Sequence, residues 1–150
     1  NTLKNEYPAL GGDFSVVHHT TFIAQMIDSG RLKLKTGVPL GTIAIHDPCY
    51  LARYNDSTGS IRKALDAIDG TRRAEVTNRG KSTFCCGAGG SQYFAKTATH
   101  KAATIRIHDL SKRAEKVATA CPFCYAMLEA AKDKPETEIA DVAVYVARYL

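Results

Sequence analysis

Short apolar runs alternate along the chain with longer amphipathic stretches. Thr42-Ile43-Ala44-Ile45-His46 and Val117-Ala118-Thr119-Ala120 are brief, largely apolar and bounded by turn residues, the mark of strands buried on both faces. Phe14-Ser15-Val16-Val17-His18 reads as a further short strand, Arg73-Ala74-Glu75-Val76-Thr77 as a weaker one, and Glu138 to Asp141 as a last. Helical stretches separate them. Thr20 or Thr21 caps a helix to about Ser29, ended by Gly30. Another covers about Ser57 to Ile68, with Ile61, Ala64, Leu65 and Ile68 on one face. Gln92 to Arg113 reads as a long helix, Cys121 opens one to about Lys132, and a last one ends at Leu150. At the other end, Asn1 to Tyr7 reads as the close of a helix stopped by Pro8 and the Gly11-Gly12 pair. Arg31 to Pro39 is a polar connection where the chain crosses over.

This alternation predicts an α/β fold, a mostly parallel sheet flanked by helices. In open sheets of that kind, ligands gather at the carboxyl ends of the strands. The cysteines fall where such ends are expected: Cys49 after the strand at 42–46, Cys121 and Cys124 after the strand at 117–120, and Cys85-Cys86 in a strand-to-helix loop. Three pieces of chain would deliver thiols to one edge.

Composition sharpens this. A chain of 150 residues buries a real core without staples. Five cysteines, two of them adjacent, suit a disulfide framework badly, so a reducing, cytoplasm-facing setting is expected. The net charge of +5 comes from scattered basic residues, which argues against nucleic-acid binding. No apolar run is long enough to cross a bilayer and no signal peptide is present. The chain starts without methionine, in what reads as mid-helix, and is taken as a piece of a longer protein. Any peripheral attachment to a membrane is left to the remainder of that parent.

Thiolates are the ligands of iron–sulfur clusters, zinc and other soft ions. Cys121 stands at a helix start with Pro122 at the first helical position, so the helix dipole and free amides are expected to lower the thiol pKa of Cys121 and Cys124. Gly87, Gly89 and Gly90 let backbone amides approach sulfur closely. Arg53, Arg79 and Lys81 stand where they can offset thiolate charge or simply face solvent. His46 reads as a neighbour of the site or a strand-end residue; His18, His19, His100 and His108 as surface or packing residues.

Other readings explain less. Buried cysteines often act as small hydrophobes, but an adjacent pair plus a Cys-x-x-Cys is a poor match to packing alone. Gly87-Ala88-Gly89-Gly90 fails the dinucleotide fingerprint because Gln92 stands at the third glycine position, and no P-loop lysine follows. A thioredoxin-type dithiol at Cys121 and Cys124 leaves Cys49, Cys85 and Cys86 unexplained. Four thiolates would satisfy a structural zinc ion, although usual zinc ribbons use two Cys-x-x-Cys pairs and this chain has one.

His46-Asp47-Pro48-Cys49-Tyr50-Leu51, Phe84-Cys85-Cys86-Gly87-Ala88-Gly89-Gly90 and Ala118-Thr119-Ala120-Cys121-Pro122-Phe123-Cys124 together resemble the cysteine-rich CCG domain family over residues 41–150. That family includes the B subunit of heterodisulfide reductase, the iron–sulfur subunits of glycolate, lactate and glycerol-3-phosphate oxidising systems, and reductases linked to electron-transfer flavoprotein. The resemblance implies an electron-transfer domain of an iron–sulfur oxidoreductase. Its ligands would be Cys49, Cys85, Cys86, Cys121 and Cys124, holding a 4Fe–4S cluster of the non-cubane type, with zinc as the alternative known in some copies. It implies a redox partner too: a flavoprotein, a ferredoxin-type domain or a quinone-linked subunit. Ser91-Gln92-Tyr93-Phe94 departs from the arginine–methionine–aromatic pattern of the flavoprotein-linked members.

Family members usually carry two such domains, and the chain hints at duplication. Tyr125 to Glu129, a turn, Thr137 to Asp141 and a helix echo Asn1 to Asn5, a turn, Phe14 to His18 and a helix. Residues 1–30 are therefore expected to be the tail of a preceding copy, and residues 41–150 the C-terminal one.

Overall fold

The structure, a computed structural model, describes residues 1–94 and 100–150. Four strands, β1 (Gly41–Ile45), β2 (Thr71–Arg73), β3 (Lys116–Thr119) and β4 (Glu138–Asp141), pair in parallel in the order β2-β1-β3-β4. The chain winds outward from β1 to β2, crosses back to β3 and continues to β4. The winding direction therefore reverses between β1 and β3, which is where open parallel sheets form ligand crevices.

Helices cover both faces, as the α/β pattern predicts. Side chains alternate across a strand, and β1 shows it plainly. Ile43 and Ile45 join a core with Ile61, Ala64 and Leu65 of α2 (Gly59–Asp66) and with Val142, Tyr145 and Val146 of α5 (Val142–Ala147). Ala44 points the other way, joining Val117 and Ile139 against Ile107 and Leu110 of α3 (His100–Ser111) and Leu128 of α4 (Pro122–Ala131). The first helix, α1 (His19–Asp28), packs on α2 and α5, and Ile23, Leu32 and Leu34 add to the first core. Residues 19–34 thus build part of this helix layer.

Several sequence expectations shift. Phe14–His18 is not a strand: Phe14 and Val17 are exposed, and the segment has no strand pairing to replace water on its backbone. The strand expected at Arg73–Thr77 is β2, two residues earlier, because Gly70 (φ +61°) turns the chain directly after α2. Ala74 N–H still reaches Ile43 O at 2.8 Å. As expected, a short helical segment, Thr2–Glu6, ends at Tyr7; Pro8 then stands at the start of a 3₁₀ turn, Tyr7–Leu10, closed by Gly11. His18, not Thr20, caps α1 by accepting from Thr20 N–H at 3.3 Å; Thr20 is buried, its Oγ1 2.9 Å from Ser60 Oγ. The helix expected over Gln92–Arg113 is seen as a 3₁₀ turn at Gln92–Phe94 and as α3; residues 95–99 lie outside the described residues. Among the described residues no helix is long and apolar enough to cross a membrane.

Candidate metal centre

The site begins where β1 ends. Strand alternation continues through the next two residues, so His46 follows Ala44 toward α3 and Asp47 follows Ile45 toward α2. Each buried side chain meets an arginine from the helix on its side. Arg106 of α3 donates Nε–H to His46 Nδ1 at 3.1 Å. Arg62 of α2 grips Asp47 with both terminal nitrogens at 2.8 Å. Arg106 is itself fully buried and completes its donors on Asp109 Oδ2 (3.1 Å) and Asn78 O (3.0 Å).

Asp47 also anchors the segment leading to the paired cysteines. Its Oδ2 accepts Gly80 N–H at 2.7 Å, and its backbone carbonyl accepts Thr83 Oγ1–H at 2.9 Å. Arg53, on the helical turn Tyr50–Tyr54 that follows Cys49, donates to Thr83 O (2.8 Å) and Lys81 O (3.3 Å). The cysteine after β1 and the loop before Cys85 are thereby locked together.

Cys121 is the residue before α4, extended at φ −152°, and Pro122 begins the helix. Cys124 lies one turn on, hence on the same face. Cys86 and Cys124 are buried against Ala103 of α3 and Met127 of α4. Cys49, Cys86, Cys121 and Cys124 line one cavity of about 290 Å³ with Gly89 and Gly90, with Tyr93, Phe94 and Phe123 at its rim. Its mouth opens beside exposed aromatics, Tyr93 meeting Phe94 and Phe123 edge-on. Cys85 lies outside that lining: it is exposed, its Sγ accepts Gly87 N–H at 3.2 Å, and its charge is felt by Cys49. Gly87, at φ +91°, makes the turn that aims this amide back at sulfur.

The sulfurs share protons unequally. A hydrogen bond from Cys124 lowers the Cys86 thiol well below the ordinary cysteine value against the cost of burial, and His46 and the Ala88 amide add to it. Cys124 likewise lowers Cys121 to about 6, helped by the Cys124 and Phe123 amides at the helix start. Cys124 itself is raised, because its single S–H proton is favoured beside the Cys121 and Cys86 sulfurs and burial adds to that. The expectation that the helix start lowers both thiols of the Cys-x-x-Cys is thus corrected for Cys124, which is raised while Cys121 is lowered. Burial and the neighbouring sulfurs push Cys49 up.

The ligand atoms of His46, Cys86 and Cys124 lie within 4.8 Å of one another. A guanidinium only donates, so His46 Nδ1 must be the bare acceptor of Arg106 and the ring proton sits on Nε2. His46 is wholly buried, and burial lowers its pKa, which keeps the ring neutral, while the neighbouring Cys86 works in the opposite direction. His46 is therefore a buried part of the centre. His19 instead pairs with Asp141 (3.0 Å), His108 lies 3.7 Å from Asp133, and His18 caps α1; the side chain of His100 lies outside the described residues. Of the cations expected to balance thiolate charge, Arg79 pairs with Glu75 and Lys81 with Asp56 on the surface. Among the described residues, the cations buried beside the centre are Arg106 and, next to Asp47, the half-buried Arg62. Sequence reasoning passed over both, although the alternation of β1 carried two residues further would have placed their partners on opposite faces.

The family model for the cysteine-rich domain CCG matches residues 43–129. The chain is 38% identical over 160 residues to a "Probable membrane-anchored ferredoxin" of Chromohalobacter salexigens, covering 100% of this chain and 24% of that protein. It is 36% identical over 155 residues to the "EtfAB:quinone oxidoreductase" of Syntrophomonas wolfei, covering 94% of this chain and 21% of the relative. With one of the subunits of the dihydromethanophenazine:CoB–CoM heterodisulfide reductase of Methanosarcina acetivorans it shares 32% over 154 residues, 98% of this chain and 37% of that protein. The chain thus spans between about a fifth and two fifths of the length of these relatives. No solved structure matches it. With the family's model laid over β1, the paired cysteines and the Cys-x-x-Cys helix, the chain belongs to the CCG cysteine-rich domain family.

Proposed function

We propose that this chain is an electron-transfer domain that holds an iron–sulfur cluster within a larger oxidoreductase. The observation that carries the reading is the gathering of Cys49, Cys86, Cys121 and Cys124 around one cavity from three separate pieces of chain, with Cys85 at its edge. The donor set suits a cluster. It is all sulfur, two of its thiols are already held toward thiolate, and glycine amides can approach the sulfurs. The cavity has roughly ten times the liquid volume of one water, room for a group of several atoms. Cys49, Cys85, Cys86, Cys121 and Cys124 would hold the cluster, which supplies one-electron transfer when bound. The protein's own part is to keep Cys86 and Cys124 dry, to hold the cysteine loops in place through Asp47 and Arg53, and to offset charge with Arg106.

The cluster type favoured is 4Fe–4S, of the non-cubane form implied by the resemblance. The aromatic rim beside the cavity is the natural approach for a redox partner, and relatives named as a ferredoxin and as a quinone oxidoreductase favour a flavoprotein, ferredoxin-type or quinone-linked one. A cytoplasm-facing setting and a preceding cysteine-rich copy in the parent protein belong to the same reading. A structural zinc ion is the second reading, favoured by the closeness of His46, Cys86 and Cys124. Against it, a zinc-bound Nε2 would require its proton on Nδ1, where Arg106 already donates.

Anaerobically prepared chain should contain iron and acid-labile sulfide and give a paramagnetic signal in one redox state. Cys86→Ala or Cys124→Ala should abolish or grossly change that signal, and His100→Ala should leave it intact. Stoichiometric zinc without iron, even after cluster reconstitution, would overturn the assignment, as would unchanged cluster content in both cysteine variants.

A further inference from the structure

The resemblance and the cysteine pattern account for the sulfurs but assign nothing to the buried pair His46 and Arg106. Both side chains are cut off from water, at 1% and 0% exposure, and neither belongs to the apolar core. Three fixed partners hold Arg106 immobile: His46 Nδ1, Asp109 Oδ2 and Asn78 O. Because its Nε–H points at His46 Nδ1, the imidazole proton is confined to Nε2. The ligand atoms of His46, Cys86 and Cys124 lie within 4.8 Å of one another, so that proton has the Cys86 sulfur within its neighbourhood. A line thus runs from the guanidinium to the imidazole and on toward the two buried sulfurs of the centre, Cys86 and Cys124.

We propose that His46 is a positioning residue that donates Nε2–H to the Cys86 sulfur, is locked in that tautomer by Arg106, and thereby raises the reduction potential of the metal centre. The proposal rests on the iron–sulfur reading. A donor to a ligand sulfur withdraws electron density from it, and it stabilises the reduced centre more than the oxidised one because reduction adds negative charge there. The low dielectric around a buried pair enlarges the effect. Arg106 contributes twice. It fixes which ring nitrogen carries the proton, and it places a buried positive charge behind the ring.

Two substitutions separate the ends of the imidazole. In His46→Asn the side-chain oxygen can still accept from Arg106, but the side chain falls short of Cys86. In His46→Gln the amide N–H reaches toward Cys86. In the anaerobically loaded chain, His46→Asn should keep its iron and sulfide while its ratio of reduced to oxidised centre, at fixed ambient potential, falls about tenfold, equivalent to about 59 mV for a one-electron couple. His46→Gln should recover most of that loss. Iron lost from both variants would overturn the proposal by making His46 a ligand; iron retained with both potentials unchanged would overturn it equally. A third measurement needs no metal. In the reduced, cluster-free full chain labelled with ¹⁵N-histidine, His46 Nδ1 should resonate as an unprotonated nitrogen and Nε2 as a protonated one. The opposite tautomer would overturn the proposal. A chain that takes up no iron would refute the iron–sulfur reading, and the tautomer measurement would still decide the geometry.

Discussion

Replacing Asp47 by alanine tests whether one buried carboxylate holds the approach to the paired cysteines. Asp47 is wholly buried and takes two 2.8 Å bonds from Arg62 and one of 2.7 Å from Gly80 N–H. Breaking a buried ion pair on one side costs about 3–5 kcal/mol, most of it the penalty of the charge left behind. Arg62 keeps 21% of its side-chain surface exposed and can turn partly into water, which brings the cost just below that range, to about 2–3 kcal/mol. The lost acceptor for Gly80 adds about 1 kcal/mol, since that amide lies on a surface turn that water can reach. The total, about 3–4 kcal/mol, is a large share of the roughly 5–15 kcal/mol available to a domain.

Urea unfolding followed by circular dichroism measures this directly. With a slope of about 2 kcal/mol per molar, the midpoint of Asp47→Ala should fall by about 1.5–2 M. Arg62→Ala should also destabilise, by leaving Asp47 buried and unpaired. The double variant should cost at least about 1 kcal/mol less than the sum, because each single change strands the other's charge. A midpoint shift below about 0.5 M for Asp47→Ala, or a strictly additive cycle, would refute the idea of a carboxylate latch.

Other positions give independent checks. Gly70→Ala should destabilise by at least about 1–2 kcal/mol, because φ is +61° and a Cβ would stand 2.5 Å from Pro39 Cβ; thermal unfolding reads it, and a neutral result would mean the turn after α2 differs. Asp141 caps α5 through Ala143 N–H (2.8 Å) and bonds His19, so Asp141→Ala should cost about 0.5–2 kcal/mol at neutral pH. Burial alone would raise the Asp141 carboxyl, but His19 and the Ala143 amide outweigh it and hold it below its usual 3.8. Its contribution is thus fully present above about pH 4 and lost as pH falls through the depressed native value; a wild-type–variant difference that grew in acid would contradict this. Leu65→Ala, at a fully buried position between α2 and the sheet, should cost about 2–5 kcal/mol by denaturant unfolding, and a loss below about 1 kcal/mol would mean the first core is loosely packed.

Much of this architecture is legible in the sequence because buried parallel strands leave a strong mark. Thr42–His46, Val117–Ala120 and Glu138–Asp141 match β1, β3 and β4 within a residue or so. The edge strand β2 is weakly written, since only one neighbour supports it and its residues are half exposed or exposed. Phe14–His18 misleads for the converse reason: an apolar run carries no information about whether a pairing partner exists. The cysteines announce themselves by chemistry and spacing, yet their protonation does not. Helix position alone makes Cys121 and Cys124 alike; only the fold shows Cys124 buried between the Cys121 and Cys86 sulfurs, where its protonated form is favoured.

Arginine is the residue type whose place is least legible in this sequence, and strand geometry explains why. On α2 and α3, arginine has every composition cue of a solvated face, and Arg53, Arg79 and Lys81 lie nearer the cysteines in sequence. Proximity along the chain finds Arg53, which holds the loop before Cys85, but misses both buried partners. His46 and Asp47 are consecutive residues leaving a strand whose two faces carry different helices, so a single step along the backbone sends one side chain to Arg106 and the next to Arg62. The strand end is gripped from both helix layers at once, immediately before Cys49. One grip fixes the ring that faces the Cys86 sulfur; the other fixes the segment that brings Cys85 and Cys86 into place. A five-residue strand between two helix layers is thereby enough to bring cysteines from distant parts of the chain to one cavity.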